Sequence, residues 1–600
     1  MTRVLLTNPY GPYELKWGTA PSDLLNARLG RGHGAFDMSS HLPTYPLYLI
    51  AENLKVPTTV LDFPRWDDFI HEIKKGYDFV AIELKSLHVR RVAKMIGAIK
   101  EFSPKSQIVI GGYGVSALDD QMPGDKENLR DYILENADHL CRAEGVRFMR
   151  ELVQDTPVDR PVTQYHMPLS HFNLPGMQNL QIRSPAILVS LGCPNACEFC
   201  NTSAFFHYKK QYIAEPAEVY GFMKAHQARS GGDTHNFILF DEDMFLNQEY
   251  VRELGRLIRS DKKTWGFRWV TFGSIKALST FEPEELRACG VQGVWVGVES
   301  SIEEDGQSKS GYAKRAGKSP ADVINGMREW GIFTIASTIV GFDFHDHENI
   351  IEDIDKFVQL KPMFYQISPL TPCPGTRLFE KMQEMHRLHD DYDWNDFHLW
   401  KEAPYDHPVF KDGDIKRYYD YAHEKLRTKN GPPLVQLYES TIMAYGNMHK
   451  LADPFFRYQA DQAAGLIRAL GIYMKAIENN APSPEVRERV RSLQAQADQL
   501  IGRGSLPAQL ARQVADAFVG YRIGHAVHAG PAGREYAPPT TWTYYDKPGK
   551  EPRVKERREA AAESMSKYLA RGSVGPLHIE LPKLPKMALT NILRQLPSQA

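Results

Sequence analysis

The stretch LVSLGCPNACEFCNTSAFF, Leu188 to Phe206, holds Cys193, Cys197 and Cys200, half of the chain's six cysteines, in one short loop. Three thiolates separated by three and then two residues can converge on one metal centre, and Gly192 and Pro194 keep the segment out of regular helix. Two kinds of centre suit the spacing. A structural zinc takes four ligands and needs one more donor, for which His207 is at hand. A cube of four irons held by three cysteines keeps one iron open to another ligand.

The same CxxxCxxC spacing, with the aromatic Phe199 just before the last cysteine, resembles the signature of the radical S-adenosylmethionine superfamily. The resemblance implies a 4Fe-4S cluster on Cys193, Cys197 and Cys200. Its open iron would chelate the amino and carboxylate groups of S-adenosylmethionine, with Phe199 lying against the adenine.

Around this loop the chain has the composition of an ordinary globular protein, and its 600 residues suggest roughly three or four domains. A formal charge of -2 argues against a phosphate-tracking surface, and nothing points to nucleic acid. The N-terminal MTRVLLTNPYG has too short an apolar run for a signal peptide, and no stretch approaches a membrane-spanning length, so a cytoplasmic protein without a membrane span is expected. Few, clustered cysteines fit a reducing compartment and a metal rather than a disulfide framework. Cys141, Cys289 and Cys373 read as buried small side chains.

Upstream, RVLLTNP (Arg3 to Pro9) and YDFVAIEL (Tyr77 to Leu84) are apolar runs of the kind that form buried parallel strands. VRRVAKMIGAIKEF (Val89 to Phe102) has helical periodicity, then QIVIGGYGVSA and ADHLCRAEGVRFMREL repeat the alternation. Residues 1–160 therefore read as an open, doubly wound α/β sheet with its ligand over the carboxyl ends of the strands. The TNPYG, IGG and RAEG turns, just upstream of the cysteine loop, resemble the cobalamin-binding domain of the cobalamin-dependent radical S-adenosylmethionine enzymes. That resemblance implies cobalamin against Asn8, Gly111, Gly112, Glu144 and Gly145. No Asp-x-His-x-x-Gly follows the first strand, so the implied cofactor has no histidine on its cobalt, as is usual in this subgroup.

Residues 161–183, rich in Pro, His, Met and Asn, read as a linker. From 184 to 400, six strand–helix units predict a partial (β/α)6 barrel with chemistry at the carboxyl ends of its strands. Asp241, Glu242 and Asp243 close the second strand, where the resemblance places the methionine amino group on Asp241 and Glu242; a helix cap before a helix starting near Asn247 is the alternative. Gly297, Glu299 and Ser300 end the fourth strand, whose counterpart in the family contacts the ribose and methionine carboxylate; Glu299 could equally pair with an arginine. Ser337 to Gly341 resembles the adenine-packing fifth strand, with Ser337 where glycine is common. TPCPGTRLF resembles the end of the sixth, with Cys373 in place of a more usual apolar residue.

Residues 401–600 read as a mostly helical domain, expected as a substrate-recognising cap over the barrel mouth, with oligomerisation or scaffolding as the alternative. PRVKERREAAAES reads as a solvated helix. The paired domains imply methylation of an unactivated carbon through a 5'-deoxyadenosyl radical and methylcobalamin. Two alternatives stand beside it: a cobalamin-dependent oxidoreductase, cyclase or ring-rearranging enzyme, and a non-catalytic Fe-S electron-transfer or binding protein. The implied partners are a small-molecule, lipid or peptide substrate and an electron donor such as flavodoxin or ferredoxin. The relatives that methylthiolate transfer RNA fit less well, since their extra N-terminal cysteine triad and C-terminal RNA-binding barrel have no counterpart in the sequence.

Overall fold

The computed structural model describes residues 2–11, 39–174, 177–302, 318–397, 404–502, 538–546 and 548–557. In chain order the N-terminal part runs β1 (Val4–Thr7), β2 (Ser39–His41), α1 (Tyr45–Glu52), β3 (Thr58–Asp62), β4 (Phe79–Glu83), α2 (Val89–Phe102), β5 (Gln107–Gly111), β6 (His139–Leu140) and α3 (Gly145–Leu152). Helix α2 buries Val89, Val92, Ala93, Ile96 and Ile99, a three-and-four spacing that turns one stripe onto the sheet. Five strands lie parallel in the order β3-β1-β4-β5-β6. The order reverses between β1 and β4, and in such sheets a crevice opens there beyond the carboxyl ends.

The middle of the chain contributes β7 (Leu169–Leu174), β8 (Met177–Leu188), β9 (Ser190–Leu191), α4 (Asn201–Phe205), β10 (Gln211–Tyr212), α5 (Pro216–Arg229), β11 (Asn236–Phe240), α6 (Gln248–Ser260), β12 (Arg268–Ser274), α7 (Pro283–Ala288), β13 (Val291–Glu299), α8 (Pro320–Glu329), β14 (Phe333–Val340), α9 (Asn349–Gln359), β15 (Phe364–Pro369) and α10 (Arg377–Glu384). Strands β8 and β11 to β15 are parallel and adjacent in chain order, the expected six-stranded partial barrel. One face of each strand, with Leu239, Trp269, Val294, Val296, Ala336 and Ile367, packs into a single core with the outer helices. The opposite face lines the inside.

The stretch expected to be a linker is ordered structure instead. β7 pairs antiparallel with β8 and β2 with β7, so the barrel sheet gains two further strands. The hairpin pairs neighbouring segments, and β8 pairs onward with β11, but the sequence lacks the apolar alternation that would announce its strands.

The C-terminal part holds α11 (Asp414–Asn430), α12 (Pro433–Met448), α13 (Pro454–Asn479), α14 (Pro484–Ile501), β16 (Thr540–Tyr545) and β17 (Arg553–Arg557). Proline at the first turn and a side-chain cap, Asp453 for α13 and Ser483 for α14, start these helices sharply. The helices do not cap the barrel mouth. Ser440 Oγ donates to the Arg328 carbonyl, Asn447 Nδ2 to that of Glu329 and Gln459 Nε2 to that of Trp265, and Arg259 pairs with Asp453. Each of these barrel residues sits at the end of an outer helix or just before a strand, so α12 and α13 close the end where the strands begin. Amphipathic periodicity shows that a helix buries one face without showing against what.

β16 lies antiparallel beside β3 and carries β17 on its other side, so residues 540–557 extend the N-terminal sheet. The PRVKER segment is thus a fully exposed, charged edge strand rather than a helix, a common protection against further pairing. The expected helix in LARQVADAFVGYRIGHAV and the unassigned closing residues lie outside the described residues.

Across the barrel mouth, Phe205, Phe379, Trp394 and Phe397 enter the core of the N-terminal sheet, and the Gly375 amide donates to Asp120 at 2.6 Å. The sheet therefore sits over the end where the cysteine loop emerges. Trp542 on β16 is buried and donates to Glu72 Oε2 at 2.9 Å. Trp542→Ala is expected to cost the N-terminal sheet about 3–5 kcal/mol, read as an earlier urea transition; an unchanged midpoint would contradict this pairing.

Candidate active site

The cysteine loop leaves β9 at Gly192, whose φ of +76° suits glycine, and a Cβ there would collide with the Lys209 carbonyl. Ala196 also takes a left-handed conformation, at φ +54°, and the Cys200 amide donates to the Cys197 carbonyl at 3.1 Å as α4 begins. Cys193 and Cys197 are 5% and 2% exposed, Cys200 is partly buried, and none of the three is in a disulfide.

Two aspartates brace this loop. Asp241 Oδ1 accepts from Lys210 Nζ (2.6 Å) and from the Asp243 amide (2.9 Å), and its Oδ2 accepts from Ser190 Oγ (2.7 Å). Asp243 Oδ2 accepts from Asn195 Nδ2 (2.8 Å) and Oδ1 from the Ser274 amide (3.1 Å). Both carboxylates are buried. Neither caps the following helix; Asn247 does that, its Oδ1 accepting from the Tyr250 amide. Asp241 therefore has both oxygens engaged by the residues that flank and support the cysteines. Burial, and then the charge of Glu242 between the two aspartates, make the Tyr113 phenol less acidic than usual, with Cys200 and Glu83 adding to the effect. Tyr113 also meets Phe205 and Phe206 edge-on at 5.5 and 6.2 Å between ring centres. An aromatic seam thus joins the IGGY turn of the N-terminal sheet to the cysteine loop.

At the fourth strand's end the pairing of β13 with β14 slips between Gly297 and Glu299, and buried Glu299 takes a φ of +63°. A non-glycine residue held there, beside a bulge, stores about 1–3 kcal/mol, and such strain concentrates at functional sites. The Glu299 carbonyl accepts from Thr338 Oγ1 at 3.0 Å, and the Ser300 hydroxyl accepts from the Ile302 amide at 3.2 Å. Phe199 packs with Ile339, Phe342 and Leu370, so the loop aromatic and the fifth-strand end come together. Gly341, at φ +87°, packs against Ile415, and its amide donates to His345 Nδ1 at 3.1 Å.

Inside the barrel, Phe240, Phe272 and Trp295 on adjacent strands stack with ring centres 6.1 and 5.3 Å apart. Trp295 Nε1 donates to Ser337 Oγ at 2.6 Å, which places Ser337 in the lining rather than at the strand end. These side chains stay partly exposed while their outward neighbours are buried. They form a flat, apolar wall with a hydroxyl at its edge.

In the N-terminal crevice, Asn8 is consumed by the fold: its Nδ2 donates to Thr44 Oγ1 (3.1 Å) and its Oδ1 accepts from the Phe63 amide (2.8 Å). Glu144 caps α3, its two oxygens accepting from the amides of Val146 (2.5 Å) and Arg147 (2.8 Å). Gly145 lets α3 approach Ile50, and a Cβ on Gly111 would touch that of Cys141. Gly112, at φ +97°, brings its turn so close to β4 that a Cβ would stand 2.7 Å from the Leu84 carbonyl. Sequence reasoning missed Glu83, which ends β4 at the reversal point. Its Oε1 is 3.4 Å from Lys85 Nζ, while its buried Oε2 has no hydrogen-bond partner among the described residues. Asn201 Oδ1, immediately after Cys200, is likewise buried without a partner. A strand-ending acid beside a glycine turn was the available signal for Glu83.

The donor set suits the implied groups. Three cysteines outside any disulfide, on one braced loop, match three corners of an iron–sulfur cube. Among the described residues no group of three or more His, Cys, Asp or Glu side chains is arranged to hold a single metal ion, and His207 points into solvent. Two orphaned acceptors between loop and crevice suit a ligand rich in amide N–H groups, as a corrin's side chains are.

No family model matches the chain. It is 27% identical over 349 residues to bacteriochlorophyllide d C-12(1)-methyltransferase of Chlorobaculum tepidum, covering 58% of this chain and 74% of that protein. It is 25% identical over 273 residues to bacteriochlorophyllide d C-8(2)-methyltransferase of the same organism, covering 42% of this chain and 57% of that protein. Among solved structures, the radical S-adenosylmethionine methyltransferase TsrM from Kitasatospora setae, with cobalamin and a 4Fe-4S cluster bound, aligns over 64% of this chain and 78% of its own, at 17% identity and a TM-score of 0.45. Both of these curated relatives are named as methyltransferases.

Gly192→Ala is expected to reduce iron retained after anaerobic reconstitution several-fold while leaving the far-ultraviolet circular dichroism unchanged. Full iron loading of this variant would contradict the loop geometry.

Proposed function

We propose that this chain, as a cobalamin-dependent radical S-adenosylmethionine enzyme, is a C-methyltransferase acting on an unactivated carbon. The observation that carries the reading is the meeting, at one barrel mouth, of a braced three-cysteine loop and the crevice of a doubly wound sheet, joined through Tyr113. When bound, the cluster with S-adenosylmethionine supplies one-electron cleavage of the sulfonium, and methylcobalamin supplies the methyl group.

The chain's own residues bind, orient and shield. Cys193, Cys197 and Cys200 hold three corners of the cluster, and Asp241 and Asp243 keep their loop in place. Phe199, backed by Ile339, offers an apolar face to the adenine, and we assign Glu299 to the ribose hydroxyls. Gly297, Ser300 and Gly341 shape the strand ends around them. Glu242 lies on the side of Cys200 that faces Tyr113 and is assigned to the methionine end in place of Asp241. Glu83 and Asn201 accept from amide N–H groups of the corrin, whose approach the tight Gly111–Gly112 turn permits; Asn8, Glu144 and Gly145 act through the shape of the crevice. Tyr113, Phe205 and Phe206 exclude water between the two cofactors.

The wall of Phe240, Phe272 and Trp295 suits a substrate with a flat apolar face, and Ser337 offers it one hydrogen bond. An electron donor such as flavodoxin or ferredoxin completes the system.

Anaerobic purification with iron, sulfide and cobalamin measured together tests both cofactors. The wild type is expected to carry four irons and one cobalamin per chain, and the Cys193→Ala, Cys197→Ala, Cys200→Ala variant to lose the iron and all 5'-deoxyadenosine formation. Undiminished formation by the variant would remove the reading, and a product without an added methylene would favour a cyclase or rearrangement.

A further inference from the structure

Where α13 meets the starts of β12 and β13, two arginines are shut away from water with no acid beside them. Arg268 is 7% exposed and Arg287, on α7, 6%. Arg268 donates to the carbonyls of Trp265 (3.0 Å) and Phe267 (2.7 Å) and to Oε1 of Gln459. Arg287 donates to the same Gln459 oxygen at 3.1 Å and to Gln292 Oε1 at 2.9 Å, while its buried Nε has no hydrogen-bond partner among the described residues. Every acceptor that the described residues give these two guanidiniums is neutral. Gln459 is itself fully buried, and its Nε2 donates to the Trp265 carbonyl at 2.9 Å, which commits its oxygen to the arginines.

Compensation from the surroundings is partial: burial, then the charge of Arg268, pushes the neighbouring His235 toward its neutral form against the opposing charge of Asp233. Guanidinium does not shed its proton under ordinary conditions, so the pocket cannot neutralise itself. Two like charges buried without a counter-charge are among the least favourable arrangements in a fold. Water could satisfy the orphaned Nε, but it brings no charge.

We propose that Arg268 and Arg287 bind a small monovalent inorganic anion of the chloride class at Arg287 Nε, and that this ion fastens the helical region to the barrel. The seat lies at the strand-start end, opposite the cysteine loop, and does not depend on the proposed chemistry.

The test uses the full chain freed of halide in sodium gluconate and titrated with sodium chloride at constant ionic strength. Tm is expected to rise by several degrees, climbing with the logarithm of chloride concentration. Crystals grown in bromide are expected to show an anomalous peak within hydrogen-bonding reach of Arg287 Nε. Gln459→Glu supplies a fixed negative charge and is expected to lose the chloride response. A wild-type Tm indifferent to chloride, or a chloride response with no bromide peak at Arg287, would overturn the proposal. Both readings are taken on the wild type, so they decide even if the variant does not fold.

Discussion

Two buried carboxylates hold the cysteine loop to the barrel, and the rest of the site inherits its geometry from them. Asp241 and Asp243 end β11, and between them they take hydrogen bonds from Ser190 before the loop, Asn195 within it, Lys210 after it and Ser274 on the next strand. Four separated points of the chain are thus referred to one strand end. A buried carboxylate stripped of its cation costs about 3–5 kcal/mol, so Lys210 and Asp241 are kept together more by what separation would cost than by what their pairing gains. The position of β11 in turn is set by Phe237 and Leu239 in the barrel core. Placement of the thiols therefore traces back to apolar packing on the far side of the sheet.

The two ends of the barrel divide the labour. At the mouth, the N-terminal sheet, the cysteine loop and the segment carrying Phe379 and Trp394 share one core, so the crevice and the loop are held by the same packing. At the other end α12 and α13 close the strand starts. Parallel barrels commonly keep chemistry at the carboxyl ends and stability at the opposite face. Among the described residues, α12 and α13 belong to the second role.

The legible parts of the fold were those with local signals. Strand–helix alternation, the glycine turns and the cysteine spacing are written in neighbouring residues, and they located both sheets and the loop. What escaped lacked an apolar pattern in its own residues. The hairpin of β7 and β8 has no alternation to reveal it, and β17 reads as a charged helix because an exposed edge strand needs no apolar face. At the site, the DED run was seen, but the division of its members was not. The turn after β11 brings Asp241 and Asp243 to the loop while the charge of Glu242 acts on Tyr113, a division that depends on the location of Lys210 and Asn195. Asn8 and Glu144 misled for a related reason: polar residues at strand ends and helix starts are needed to satisfy backbone and turn groups whether or not a ligand binds.

The strand that borders β3 comes from the other end of the polypeptide; Thr540, which hydrogen-bonds to the Phe63 carbonyl, is 477 residues away in sequence. Synthesis at 5–20 residues per second delivers the two halves of that ladder roughly 25–95 s apart. Throughout that interval the nascent N-terminal sheet carries a bare, hydrogen-bond-hungry margin beside Thr59, Val60 and Leu61, and the ribosome-bound intermediate is exposed to intermolecular strand exchange. The ladder between β3 and β16 is therefore among the last contacts of the N-terminal sheet to form.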